Sequence, residues 1–307
     1  MFTIVEKRHW YFLLSALIII PGLVAMVYSI ATYGSPIRLG IDFTGGALLE
    51  LRFEQPVQPA EVRDVFVNSG FSGTTVQTTT DDQTVLVRTK QMEAETRVQV
   101  LDDLTGAFGP VEELRFESVG PAVGAEVTRA AAIAVAVAAL FILLFIIFAF
   151  RRVPNAFRYG VCAIAAMIHD ILVTVGLFSL ASLFLGWEAD ALFLTAILTV
   201  IGFSVQDTIV VFDRIRENIA RRRGEPFEMI ANRSLLETLH RSLATQLNAI
   251  FVLIALVLFG GATMKQFVAI LLVGLLSGTY SSIFNAVPLL VAWQTRRLVG
   301  RPSKATA

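Results

Sequence analysis

Six apolar segments decide which folds are open to this chain, because each is long enough to cross the hydrocarbon core of a bilayer. They lie at about 11–33, 129–150, 159–183, 191–212, 242–261 and 266–293. The chain is 55% hydrophobic and 16% charged, with a mean hydropathy of +0.68, which is typical of membrane proteins. The sequence therefore predicts an α-helical integral membrane protein with six transmembrane helices.

The charge of the connecting loops predicts the orientation. Three loops are rich in Arg and Lys, at 151–158, 214–233 and 296–304, whereas the loops at 186–190 and 260–266 hold two acids and one Lys. By the positive-inside rule, both termini are cytoplasmic and residues 34–128 lie outside. The net charge of +0 gives no indication of a nucleic-acid partner.

The spans divide the chain into four parts. These are the N-terminus with helix 1 (1–33), an extracytoplasmic domain (34–128), transmembrane helices 2–6 with basic cytoplasmic loops (129–295) and a cytoplasmic tail (296–307). Helix 1 is too long for a signal-peptide core and follows Lys7 and Arg8, so we interpret it as a retained anchor; cleavage after the 25–33 region is the alternative. The lone Cys162 predicts no disulfide framework and no thiol-based metal site.

The segment between helices 1 and 2 has a water-soluble pattern. Strand-like runs lie at 47–54, 74–80, 84–90 and 111–119, helix-like runs at 59–70 and 93–109, and Asp81-Asp82-Gln83 forms a hairpin signal. The order is βαββαβ, which predicts a ferredoxin-like α+β domain. This fold hosts many functions, so it assigns none. We find no catalytic constellation, cofactor motif or metal-ligand spacing, and we expect a binding or lever element rather than an enzyme; a passive plug is the alternative.

Asp207 lies in the fourth apolar segment, about 15 residues or roughly 22 Å from its start. A carboxylate at the centre of a bilayer costs on the order of 2.5–3.5 kcal/mol by insertion scales. It must be paired, protonated or lined by water, and each arrangement is a way to handle a proton or an ion. Ser204, Gln206 and Thr208 lie nearby, and helical spacing predicts a small, polar face that includes Thr199, Gly202, Phe203 and Gln206. A purely structural hydrogen bond is the alternative.

Two further polar groups lie deep in the membrane segments. His169 and Asp170 are near the middle of the third segment and are candidates for proton transfer, although adjacent helical residues point about 100° apart. In the fifth segment, Arg241, Thr245 and Asn248 belong to a polar stripe with Thr238, and Arg241 is the expected partner of Asp207. Alternatively, Arg241 extends to the cytoplasmic boundary and His169–Asp170 is structural. Gly274 and Gly278, in the sixth segment, predict a helix-packing face.

Six segments of the chain resemble a known protein family. The segments GIDFTGG (40–46), SVGPAVGAEV (118–127), MIHD (167–170), GFSVQDTIVVFDRIREN (202–218), ETLHRSLAT (237–245) and LFGG (258–261) resemble the SecD/SecF protein-export family of the resistance–nodulation–division superfamily, in particular its smaller subunit. The family usually has Asn at the position of Gln206 and Ser-Arg-Thr at 240–242. The carboxylate of Asp207 and the guanidinium of Arg241 are retained.

The resemblance implies a function that composition alone does not give. Such chains have six spans and an external ferredoxin-like domain, and they pair with SecD in the bacterial cytoplasmic (inner) membrane. Beside the SecYEG channel, and with YajC as a further possible partner, the pair uses the proton gradient to help pull preproteins outward. The implied transport residues are Asp207 and Arg241.

Two other classes of function are compatible with the residues themselves. One is a non-conducting scaffold, whose proton flux would not change in an Asp207→Asn variant. The other is a half-transporter for lipids or small molecules of the same superfamily, which an export assay with lipophilic dyes would detect.

Overall fold

The computed structural model describes residues 3–78, 82–151, 155–222, 224–260 and 262–295. The chain divides into two compact units, one of Met1–Arg38 with Ile133–Ala307 and one of Leu39–Ala132. The turn predicted at Asp81, the Arg-rich stretch at 152–154 and the predicted tail at 296–307 lie outside the described residues.

The larger unit is a bundle of long helices. After a 3₁₀ turn (Val5–Lys7), it contains α1 (Arg8–Tyr33), most of α5 (Pro121–Ala149), α6 (Ala156–Leu185), α7 (Ala191–Arg221), α8 (Phe227–Phe259) and α9 (Ala262–Ser281), which continues through a π-helical turn (Ser282–Ala286) into α10 (Val287–Thr295). Six helices, with α9, the π turn and α10 counted as one, are long and apolar enough to cross a membrane. The predicted six-helix membrane architecture is confirmed.

The helices extend further than the apolar runs that predicted them. The predicted loop at 214–233 is mostly helical, because α7 continues to Arg221 and α8 already begins at Phe227. Ion pairs of Glu217 with Arg214 and Arg221, three and four residues away, stabilise the polar end of α7. Similarly, α5 begins at Pro121 rather than near 129, with proline in the first turn, where it is well tolerated.

Glycines allow two of the closest helix contacts. A Cβ atom on Gly22 of α1 would lie 2.7 Å from the Cα atom of Gly176 in α6, so these backbones touch. A Cβ on Gly278 of α9 would lie 3.2 Å from the Cα of Ser204 in α7. The prediction that Gly274 and Gly278 form a packing face is therefore confirmed, and the close approach puts α9 serines beside α7.

The smaller unit contains a sheet and two helices. Its elements are a short α2 (Ile41–Thr44), β1 (Gly46–Phe53), α3 (Pro59–Asn68), β2 (Thr75–Thr78), β3 (Thr84–Thr89), α4 (Ala94–Phe108), β4 (Val111–Val119) and the start of α5. The strand order is β2-β3-β1-β4 and the described pairs are antiparallel. Alternate residues of β1 (Ala47, Leu49, Leu51, Phe53) are buried, as the period of two requires, against Phe66 of α3 and Leu104 of α4.

Candidate functional site

Two carboxylates are buried in the described part of the helical bundle. Asp207 of α7 is 5% exposed and Asp170 of α6 is fully buried. An acid in a bundle interior needs donors or a proton, since an isolated charge there is strongly destabilising. The two acids meet this requirement in different ways.

Asp207 accepts a hydrogen bond from the neighbouring helix. Gln246 of α8 donates from Nε2 to Oδ2 of Asp207 at 2.6 Å. Both side chains are buried, so the contact lies between α7 and α8, out of reach of bulk water. The sequence analysis did not single out Gln246.

The face of α7 that carries Asp207 differs from the predicted one. Val200, Ser204 and Val211 are buried with Asp207, at spacings of three, four and seven residues. Gly202, Phe203 and Gln206 are exposed on another side of the helix. Gln206 is adjacent to Asp207 in sequence and therefore points about 100° away from it. The assignment of Gln206 to the side of the acid was wrong; Ser204 and Thr208 are buried, and Thr208 Oγ1 donates to the Ser204 carbonyl oxygen at 3.1 Å.

Arg241 does not pair with Asp207 among the described residues. It is exposed and lines a cavity of about 400 Å³, which we call the Arg241 cavity. The other polar side chains of its wall are Asp213, Arg214, Arg216, Glu217, Glu237 and Thr238. Arg214 bridges Glu217 at 2.5 Å and Glu237 at 2.6 Å, joining the end of α7 to α8. The expected partnership is thus replaced by the Gln246 contact in this structure.

The buried polar stripe of α8 has a different spacing from the predicted one. Thr238, Ser242 and Gln246 recur every four residues and are buried, whereas Thr245 and Asn248 are exposed. The hydroxyl of Thr245 donates to the Arg241 carbonyl oxygen, within its own helix. The predicted stripe started correctly at Thr238 and then followed i+3 instead of i+4. Following the four-residue spacing would have found Gln246 from the sequence.

Asp170 is held by hydroxyl groups from two other helices. Ser204 of α7 donates to Oδ2 at 2.5 Å, Ser281 of α9 to Oδ2 at 2.6 Å, and Ser277 of α9 to Oδ1 at 2.6 Å. His169 Nδ1 lies 3.0 Å from Oδ1. The Gly278 packing contact makes this geometry possible, because it brings the α9 serines close to α7.

His169 extends the network to α1. Its Nε2 lies 3.1 Å from Oγ of Ser15, and Ser15 also exchanges hydrogen bonds with Asn285 of the π-helical turn. As predicted from the 100° offset, His169 and Asp170 face different neighbouring helices, although their side chains still touch each other. The hydrogen bonds between Ser15 and Asn285 hold the π-helical turn against α1. Turns of this kind are common at functional sites.

Neither acid belongs to a cluster suited to a metal ion. Across the part of the chain that the structure describes, no group of three or more His, Cys, Asp or Glu side chains comes together. The site consists instead of two carboxylates, one amide, one imidazole and several hydroxyls, and such groups exchange and relay protons.

Two family models match the chain. The family described as "Protein export membrane protein SecD/SecF, C-terminal" matches residues 99–296, and the "SecD/SecF GG Motif" matches residues 30–57. The chain is 49% identical over 298 residues to the protein translocase subunit SecF of Anaerolinea thermophila, and 48% identical over 307 residues to that of Thermobaculum terrenum. Each alignment covers 96% of this chain and 95% of the relative.

Two solved structures are similar to the fold. The crystal structure of SecDF from Thermus thermophilus, a translocon-associated membrane protein, has a TM-score of 0.81 and 33% identity. The super-membrane-facing form of SecDF has a TM-score of 0.66 and 32% identity. Each match covers 96% of this chain but only 39% of the SecDF chain, so those proteins contain more than the part that corresponds to this one.

Proposed function

Because this chain belongs to the SecD/SecF family of protein export membrane proteins, we propose that it is a multi-pass subunit of the bacterial cytoplasmic membrane that couples the proton gradient to polypeptide export. One observation carries the coupling step. A buried carboxylate, Asp207, lies at hydrogen-bond distance from an amide that suits both of its protonation states.

The amide of Gln246 can serve Asp207 with or without a proton. Its NH₂ group donates to the carboxylate, as seen at 2.6 Å. When Asp207 gains a proton, rotation of the amide presents the Gln246 carbonyl oxygen to the new O–H donor. The acid therefore keeps a partner in both states. An arginine in the same place would favour the charged state alone.

The buried stripe of α8 offers protons a route to Asp207. Thr238 lines the Arg241 cavity, and Gln246 contacts the acid. Ser242 lies between them, and its hydroxyl is buried without a hydrogen-bond partner among the described residues. An unpartnered hydroxyl at this depth suits a transient water or proton relay.

Arg241 has a place in the same cycle. In this structure Arg241 lines the cavity, and Asp207 accepts a hydrogen bond from Gln246. We assign an Asp207–Arg241 pair to a second conformation, in which the charged acid has left Gln246 and faces the cavity. The membrane potential supplies a free energy of the right size for this change. One charge crossing 100 mV gains about 2.3 kcal/mol, similar to the roughly 2.5–3.5 kcal/mol insertion cost of an acid at the helix centre.

We propose a role in polypeptide binding for the smaller unit. The order β2-β3-β1-β4 with α3 and α4 supports a ferredoxin-like domain. We place this domain outside the cytoplasmic membrane and both termini inside, from the Arg-rich loops. It would hold or release an emerging preprotein as the helices tilt, with SecD as the paired subunit, SecYEG as the channel and YajC as an accessory partner.

The deciding experiment compares two acids of α7. Asp207→Asn should abolish gradient-dependent secretion and the associated proton flux, with the complex still assembled. Asp213→Asn is the matched comparison, because Asp213 lines the Arg241 cavity on the same helix but is about half exposed, so water can replace its carboxylate and proton flux should fall far less than in Asp207→Asn. Equal proton flux in wild type and Asp207→Asn would refute coupling and favour a scaffold.

A further inference from the structure

A second cavity lies at the end of the bundle formed by the start of α6, the end of α7, the start of α8 and the end of α10. We call this the Arg-rich end. The cavity has a volume of about 490 Å³ and shares no lining residue with the Arg241 cavity. Its wall includes Tyr159, Ile219, Arg222, Glu225, Phe227 and Ile230. Pockets of this size accommodate small ligands and headgroups.

One part of the wall favours an anion. The long helices α6 and α8 both begin here, with Asn155 and Pro226 as their N-cap residues, and among the described residues neither helix start has a side-chain cap. Uncapped first-turn N–H groups and the helix dipole attract negative charge. Arg222 adds a full positive charge to the same wall.

Tyr159 gives independent support for a ligand. Its side chain is fully buried and lines the cavity, yet its hydroxyl has no hydrogen-bond partner among the described residues. A buried hydroxyl left unpaired costs about 1–3 kcal/mol, so a group that accepts its hydrogen bond would be stabilised there.

Glu225 favours a cationic group that donates a hydrogen bond. Its Oε1 lies 3.3 Å from Arg222 and 3.5 Å from Arg233. Its Oε2 is buried and has no partner in the described part of the chain. The cavity wall therefore contains donors together with a carboxylate oxygen that accepts no hydrogen bond among the described residues, which fits a ligand carrying both a phosphate and an N–H donor.

We propose that this cavity binds the phosphoethanolamine headgroup of a membrane phospholipid. The phosphate takes the place beside Arg222, the helix starts and the Tyr159 hydroxyl, and the ammonium donates to Glu225 Oε2. Apolar Ile219, Phe227 and Ile230 in the same wall suit the glycerol region of the lipid. A pocket at a cationic end of membrane helices is where lipid headgroups are recognised. The inference does not depend on proton coupling.

Native mass spectrometry of the purified full chain tests this with no substitution at all. Phosphatidylethanolamine should be retained at about tenfold lower concentration than phosphatidylcholine, whose quaternary amine has no N–H donor, because one charged hydrogen bond is lost. Phosphatidylglycerol should also be weaker. Equal retention of all three lipids would overturn the proposal, as would a preference for phosphatidylglycerol. Displacement of the lipid by free phosphoethanolamine at equal concentration would assign the cavity to a soluble ligand instead.

Two substitutions locate the site. Glu225→Gln should remove the advantage of phosphatidylethanolamine over phosphatidylcholine, and Tyr159→Phe should weaken all three lipids together by several-fold. Glu237→Gln and Tyr280→Phe are matched controls, because Glu237 lines the other cavity and the Tyr280 hydroxyl donates to the Tyr11 carbonyl oxygen. An unchanged lipid preference in Glu225→Gln would refute the amine contact.

Discussion

The surroundings of Asp207 and of Asp170 show two ways of burying an acid among membrane helices. Asp170 accepts hydrogen bonds from three serine hydroxyls on α7 and α9 and also touches His169. Asp207 accepts from Gln246 alone among the described residues. Burial is similar, so the number and kind of partners separate the two sites.

Protonation would change the hydrogen bonds of the two acids to different extents. At Asp170 the carboxylate is the shared acceptor that joins α6, α7 and α9, and an added proton would compete with hydroxyls already bound to both oxygens. At Asp207 an added proton requires only that one amide turn round. We infer that Asp170 fixes the helices while Asp207 changes state during the transport cycle, and each prediction below tests that separation.

The largest expected effect is the loss of stability in Asp170→Ala. Three buried hydroxyls would lose their acceptor, and each unpaired group costs about 1–3 kcal/mol, so we expect a loss of about 3 kcal/mol or more in the free energy of unfolding. Asp207→Ala leaves one amide unpaired and should cost about 1–2 kcal/mol. Denaturant unfolding of the purified chain in detergent measures both. Equal losses would show that the two acids contribute equally to the free energy of unfolding, against the separation of their roles.

The second effect concerns transport. Gln246→Leu should lower proton flux through the complete pair at least about tenfold, because charged Asp207 loses about 1.4 kcal/mol more than protonated Asp207 when the amide donor is removed, and the acid then releases its proton less readily. A pH-sensitive dye in proteoliposomes measures this flux. Gln206→Leu is the matched control, since it removes the same amide from the exposed side of α7. A Gln246→Leu variant with wild-type flux would show that the amide does not serve the acid.

Much of this architecture could be predicted from the sequence, because its causes are local. The length of the apolar segments predicted the six spans, and alternation in 47–54 predicted the strand that the structure has as β1. Asp207 and Asp170 were found because charge is rare in apolar segments. The close approach of Gly274 and Gly278 to α7 followed from small residues at a four-residue spacing.

The partners of the acids could not be predicted with the same certainty, because they depend on how helices rotate against one another. A rotation of about 100° exchanges Gln206 for Asp207 or Arg241 for Ser242 on a given face. Charge complementarity suggested Arg241, whereas packing places the neutral Gln246 beside Asp207. Ser277 and Ser281 are ordinary residues in sequence and acquire their role only when Gly278 brings α9 against α7.

The smallest effect comes from the residue that connects the two sites. Ser204 donates to Asp170, and its carbonyl oxygen accepts from Thr208, one residue after Asp207. Ser204→Ala should cost about 1 kcal/mol of unfolding free energy and leave proton flux nearly unchanged, because it removes one of three hydroxyl donors from the fixed acid. Ser242→Ala should give the opposite pattern, since its buried hydroxyl has no partner to lose but lies between Thr238 and Gln246. Unfolding and flux measured on both variants decide the matter. A fall in flux in Ser204→Ala as large as that in Gln246→Leu would mean that α7 transmits between the acids, and their roles could then not be separated.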